Sequence, residues 1–171
     1  MKNRTLFISI LLLALLSFFG FRFFDIPNQS YTPTIPSITG TYKFVSRTLP
    51  DGTILKPPMV NGIQTFTNDK RNFNIMWTNK DKKHFSYSVY STYKLTDKDY
   101  TESIIFGIMN DEISGKGLTY LTNQTKTVPI TYNKGKLDFK LPFDPPKVMF
   151  DGNKMIATSE GQFTDTWEKV N

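Results

Sequence analysis

Apolar and polar residues alternate along most of the chain after residue 40. A period of two places successive side chains on opposite faces of an extended backbone, so segments such as 72–78 and 84–95 predict β-strands with one buried face. The apolar residues of these two segments are Phe73, Ile75, Trp77, Phe85, Tyr87, Val89, Tyr93 and Leu95. In residues 41–47 the same alternation predicts Tyr42 and Phe44 on one face and Arg47 on the opposite face.

Turn signals separate the predicted strands at short intervals. They include Pro50-Asp51-Gly52, Asn68-Asp69, Asn79-Lys80-Asp81, Asp97-Lys98-Asp99, Asn133-Lys134-Gly135 and Asp151-Gly152-Asn153. Gly, Asn and Asp tolerate the positive φ angles of tight hairpins, and no long amphipathic segment lies between the strands to serve as a crossover helix. A long antiparallel sheet protects its edges by closing. The pattern therefore predicts an all-β fold with a single antiparallel up-and-down barrel of about 8–10 strands.

Several segments of the predicted barrel carry a family resemblance. They are the start Gly40-Thr41-Tyr42-Lys43-Phe44, the turn at 50–52, the strand at 62–67 and the closing strand at 163–170. Over residues 40–170 the chain resembles bacterial lipocalin-like domains, although Tyr42 stands where lipocalins usually carry tryptophan. The middle segment, 91–104, is similar to an exported subgroup of these domains with no assigned function. The resemblance implies a calycin-type barrel with a central cavity, and it implies no particular ligand.

The N-terminal segment predicts export. Lys2 and Arg4 precede an uncharged run of sixteen residues from Leu6 to Phe21. This length lies between the core of a secretory signal, about 7–15 residues, and the span of a membrane helix, about 20 residues. Residues 1–24 are therefore expected to form a hydrophobic helix, either a cleavable signal peptide or a membrane anchor. Residues 25–39 contain three prolines and predict a linker, which leaves 40–171 as the barrel domain.

This organisation predicts a location outside the cytoplasm, either membrane-anchored or secreted. The net charge of +6 is partly due to Lys2, Arg4 and Arg22, and the other lysines are scattered at turns. A nucleic-acid partner is therefore not expected, because it requires basic residues gathered on one face. The chain has no cysteine, which excludes disulfides and thiolate chemistry, and no cofactor is expected. The expected partners are a small apolar ligand and the membrane, through the N-terminal segment; the oligomeric state is not predicted.

The inward face of the predicted barrel supplies the candidate site. The candidate ligand-binding residues are Tyr42, Phe44, Phe73, Trp77, Phe85, Tyr87 and Glu102. Aromatic rings of this kind can line a pocket or pack against one another as core. Glu102 shares its parity with Tyr100, Ile104 and Phe106, so it is expected to point inward and to need a partner, unless Ile105 marks the inner face.

Catalytic and metal-binding patterns are weak. His84, the single histidine, lies in a basic turn on the exposed side of its strand. Residues 97–108 do not match a calcium loop, because Glu102 and Ile108 stand at the sixth and twelfth positions, where that loop requires glycine and glutamate. No Gly-x-Ser-x-Gly motif occurs. The sequence favours an exported barrel that binds a small hydrophobic or amphipathic ligand without chemistry. Two alternatives stay open: a solid barrel that binds a cell-envelope partner through its loops at 110–117 and 142–147, and a cavity isomerase or cyclase that uses Glu102 with a tyrosine.

Overall fold

In the computed structural model, which describes residues 35–170, the alternating pattern folds into eleven β-strands. They are β1 (Gly40–Thr48), β2 (Ile54–Leu55), β3 (Val60–Phe66), β4 (Lys70–Thr78), β5 (His84–Leu95), β6 (Asp99–Asp111), β7 (Gly117–Asn133), β8 (Lys136–Lys140), β9 (Lys147–Asp151), β10 (Lys154–Ser159) and β11 (Phe163–Val170). Their turns include the predicted hairpin at Lys134 and Gly135, where φ is 50° and 83°. Such positive angles match the right-handed twist of the strands on either side.

Hydrogen bonding between neighbouring strands closes the sheet. The order runs β11-β10-β9-β8-β7-β6-β5-β4-β3-β1, and β11 pairs back with β1, while β2 adds two residues beside the end of β1. All pairings are antiparallel, so the predicted all-β antiparallel barrel is confirmed, with ten strands in the closed wall. No helix of the described residues is long and apolar enough to cross a bilayer. The predicted N-terminal helix lies in 1–24, outside those residues.

Two bulges change which side chains enter the barrel. In β1 the register against β11 shifts between Phe44 and Ser46, and the shift turns Arg47 inward, where it is 4% exposed. The predicted outward position of Arg47 is therefore wrong, because an extra residue in a strand inverts the alternation that follows. In β6 the register against β5 shifts at Ile105. Glu102 and Ile104, before the shift, point inward, whereas Phe106, after it, points outward with half of its surface exposed. The alternative that Ile105 marks the inner face is also wrong.

Aromatic rings fill one end of the bore. A continuous set of ring contacts, with centroids 4.4–6.2 Å apart, joins the residues that we call the first ring cluster: Tyr42, Phe66, Tyr93, Tyr100, Phe139 and Phe150. Residues 35–39, the last part of the predicted linker, pack against this end. Ile38 is 2% exposed, and its carbonyl accepts a 3.1 Å hydrogen bond from the Tyr42 hydroxyl.

A second ring cluster, Phe44, Phe73, Tyr87 and Trp167, occupies the middle of the bore with centroids 5.3–5.9 Å apart. Gly62 on β3 makes room for the large indole of Trp167. A Cβ atom at Gly62 would lie 2.7 Å from Cη2 of that ring and 2.8 Å from the Asn74 carbonyl oxygen. Glycine at this strand position therefore reflects close packing across the barrel.

Candidate functional site

All seven predicted ligand-binding residues lie on the inner face of the wall. Tyr42, Phe44, Tyr87 and Glu102 are buried, and the other three, Phe73, Trp77 and Phe85, are partly buried and packed against the core. The rings contact one another or other core residues. Trp77, for example, stacks on Phe85 with centroids 4.0 Å apart. Their role as ligand contacts stays a prediction, because in this conformation the rings pack as core.

The charged centre of the bore is Arg71, which extends from β4 between the two ring clusters and is 1% exposed. Its Nη1 donates to both carboxylate oxygens of Glu102, at 3.0 and 3.3 Å, and the Ser91 hydroxyl donates to Oε1 of the same carboxylate at 2.6 Å. Glu102 is also 1% exposed. The predicted inward carboxylate thus has a cationic partner, as a buried charge requires.

A second carboxylate reaches Arg71 from a loop between two strands of the wall. Residues 141–146, which we call the plug loop, connect β8 to β9, and Nη2 of Arg71 donates to Asp144 Oδ2 at 3.1 Å. Leu141, Pro142 and Pro146 anchor the base of this loop in buried positions, whereas Pro145 at its tip is exposed. Asp144, which contacts the buried guanidinium of Arg71, is therefore the direct neighbour in sequence of the exposed Pro145.

Two polar atoms of this centre lack a hydrogen bond. Arg71 Nε and the Tyr100 hydroxyl are buried without a partner among the described residues. The pKa of the Tyr87 phenol is raised, mainly by burial and secondly by the negative charge of Asp144 in the plug loop. Burial also raises the pKa of Asp144 itself, although Arg71 opposes that shift. The Arg71 cluster, which we define as Arg71, Ser91, Glu102 and Asp144, therefore contains one buried guanidinium N–H, on Nε, that has no acceptor among the described residues.

A separate ion pair lies on the inner face of β1 and β11. Arg47 binds Asp165 through two parallel bonds, Nε to Oδ1 at 2.7 Å and Nη2 to Oδ2 at 2.8 Å. The guanidinium carbon lies 4.4 Å from the ring centroid of Trp77 and 3.9 Å from that of Phe163. Planar guanidinium groups suit both interactions. The carboxylate that binds Arg47 therefore comes from a strand of the barrel wall, whereas Arg71 takes one of its two carboxylates from a loop.

The outer wall carries an open groove of about 550 Å³ between β1, β3, β4 and β5. Its lining includes Lys43, Asn61, Ile63, Met76, Ser86 and Ser88. The groove thus lies on the face opposite the predicted ligand-binding rings, and none of the seven predicted site residues lines it.

The sequence interpretation missed four charged residues of the bore: Arg47, Arg71, Asp144 and Asp165. A signal for Arg71 was present, because it shares its parity with Phe73 and Ile75 in the alternating segment. Asp144 had no such signal, since it lies in a loop. His84 is exposed, with Nδ1 2.9 Å from the Thr78 hydroxyl. The described residues contain no group of three or more potential metal ligands.

Comparison of the chain with protein-family models, with curated proteins and with solved structures gave no match.

Proposed function

We propose that this chain is an exported, lipocalin-like barrel that binds a small amphipathic anion and releases it unchanged. The observation that supports this proposal is the second carboxylate of the Arg71 cluster. Glu102 belongs to the wall and fixes the guanidinium, whereas Asp144 comes from the plug loop. A ligand carboxylate in the place of Asp144 keeps Arg71 paired, so the exchange leaves no buried charge uncompensated.

The tip of the plug loop indicates the chemical class of the ligand. Phe143 packs against the core beside Asp144, so the tip presents a phenyl ring next to a carboxylate. We infer that the loop tip occupies the site in the manner of an amphipathic anion. The head group of the ligand binds Nη2 of Arg71, and its apolar part takes the position of the Phe143 ring.

Binding without chemistry fits the state of Glu102 better than acid–base catalysis does. Both carboxylate oxygens are engaged by Arg71, and Oε1 also accepts the Ser91 hydroxyl. A paired carboxylate is a weak base, and a general base must lie within hydrogen-bond reach of a substrate proton. The Tyr100 hydroxyl is enclosed with it. The cavity isomerase is therefore the less favoured candidate.

The experiment removes the internal carboxylate. Asp144→Asn is expected to tighten binding of 3-phenylpropionate by about ten- to a hundredfold in isothermal titration calorimetry, since one charge-assisted hydrogen bond no longer competes. The neutral 3-phenylpropanol should show no such gain. Asp138→Asn is the matched control, because Asp138 forms a surface ion pair with Lys147, at 3.5 Å, away from the Arg71 cluster.

Acidification should act in the same direction as that substitution. The pKa of Asp144 is raised in the folded protein, so its carboxyl protonates at a higher pH than in the unfolded chain. Any stability that this difference contributes is present at low pH and is lost as pH rises through the folded pKa. Affinity for 3-phenylpropane-1-sulfonate, which stays ionised, should rise as pH falls, and Asp144→Asn should remove that rise. Equal affinity of wild type and Asp144→Asn for the anionic probes would contradict the proposal.

A further inference from the structure

Most of β7 has a strand on one side only. Residues 117–129 pair with β6 except at Asn123, but the ladder to β8 covers residues 130–133 alone. Among the described residues, no other backbone group bonds to the remaining edge. A strand edge of this length presents a row of free N–H and C=O groups, which is a template for an added strand.

The two halves of this edge differ in composition. Residues 122–129 contain Lys126, Pro129 and several Thr, Asn and Gln residues, a composition that discourages strand addition. Residues 117–121, which we call the edge segment, carry no charge. Leu118 and Tyr120 of this segment lie on the outer face, 55% and 67% exposed. Strand addition is therefore expected at the edge segment and not farther along β7.

The composition of the edge segment indicates which kind of strand can pair with it. An added strand needs apolar residues at alternate positions so that they continue the outer face beside Leu118 and Tyr120. The edge segment itself has this pattern. Ile108 of β6, which lies beside Tyr120 and is 41% exposed, extends the apolar surface on the same face.

We propose that the edge segment pairs antiparallel with the edge segment of a second copy of this chain. A two-fold axis at Thr119 places Leu118 of each copy opposite Tyr120 of the other, which gives two aliphatic–aromatic pairs across the new ladder. The uncharged backbone ladder brings no like charges together between residues 117 and 121. The interface leaves the Arg71 cluster untouched, so it is independent of the proposed anion binding.

Cysteine cross-linking tests this register, because the full chain contains no cysteine of its own. At the two-fold axis the Cα atoms of residue 119 in the two copies are about 4.5–5.5 Å apart, within the range that a disulfide spans. Mild oxidation of the full-length Thr119→Cys variant should therefore give a covalent dimer. Thr131→Cys is the matched control, since Thr131 is exposed on the part of β7 that β8 already pairs, opposite Asp138.

Sedimentation equilibrium of the full chain supplies the second measurement. The wild type should be dimeric, and Tyr120→Lys should raise the dimer dissociation constant at least about tenfold, because it places an ammonium group against Leu118 of the other copy. Thr131→Lys should leave the constant unchanged. A wild type that stays monomeric, or Thr119→Cys and Thr131→Cys variants that cross-link equally, would overturn the proposal.

Discussion

Replacement of Glu102 by glutamine tests whether the ion pair between Glu102 and Arg71 stabilises the folded barrel. Gln has nearly the same size and keeps one acceptor oxygen, so the packing around Ser91 is preserved. What disappears is the negative charge that faces Nη1 of Arg71 at 3.0 and 3.3 Å. Arg71 then retains Asp144 as its single carboxylate, at 3.1 Å.

The expected loss of unfolding free energy is about 2–4 kcal/mol. Removing one partner of a buried ion pair typically costs about 3–5 kcal/mol, and Asp144 keeps part of the compensation. This is a large share of the roughly 5–15 kcal/mol that stabilises a typical domain. Urea unfolding followed by tryptophan fluorescence measures the difference. Glu168→Gln, a half-buried side chain on β11, is the control and should change stability by about 0.5 kcal/mol or less.

In the background of Arg71→Met, the effect of Glu102→Gln on the free energy of unfolding is expected to change sign. Without the guanidinium, Glu102 is a buried charge with no cation, and Glu102→Gln should then stabilise the protein. If Arg71→Met does not fold by itself, the double variant should recover folding. A destabilisation by Glu102→Gln that is the same with and without Arg71 would refute the electrostatic reasoning.

Two further substitutions test the packing and the second ion pair. Gly62→Ala should destabilise the barrel by about 1–3 kcal/mol in urea unfolding, because its Cβ meets the indole of β11, and Gly107→Ala should cost less because the nearest atoms lie 3.4 Å away. Asp165→Asn leaves Arg47 buried without its carboxylate and should cost about 3–5 kcal/mol, whereas Asp151→Asn in a half-exposed pair should cost about 0–1 kcal/mol. Equal effects within either pair of variants would contradict the burial argument.

The strands and the closed barrel follow from local chemistry, which is why the sequence predicts them. Alternation in segments such as 84–95 and the Asn133-Lys134-Gly135 turn act over a few residues, and the structure realises both. The inward position of Glu102 was predicted in the same way, from its parity with Tyr100 and Ile104. Its partner was not, because Arg71 is 31 residues away and the pairing depends on the register of three strands.

The contact between Asp144 and Arg71 shows a different limit of sequence reasoning. No periodicity indicates which side chain of a loop turns toward the bore, and the sequence predicts 142–147 only as a loop available for contact with a partner. The structure buries Pro142 and Pro146 at its base and directs Asp144 inward. Loop residues take their positions from the tertiary contacts that are available, and these contacts span 73 residues in this case.

The two bulges determine which side chains point into the bore. If β1 had no bulge after Phe44, Arg47 would point outward and Asp165 would be a buried carboxylate without a cation. If β6 had none at Ile105, Phe106 would enter the bore at the position that Gly107 occupies, within ordinary contact distance of Val89. A bulge inverts the alternation without changing the hydrophobicity of the residues around it. The same two irregularities therefore place an arginine inside the barrel and a large apolar ring on the outer wall beside β7.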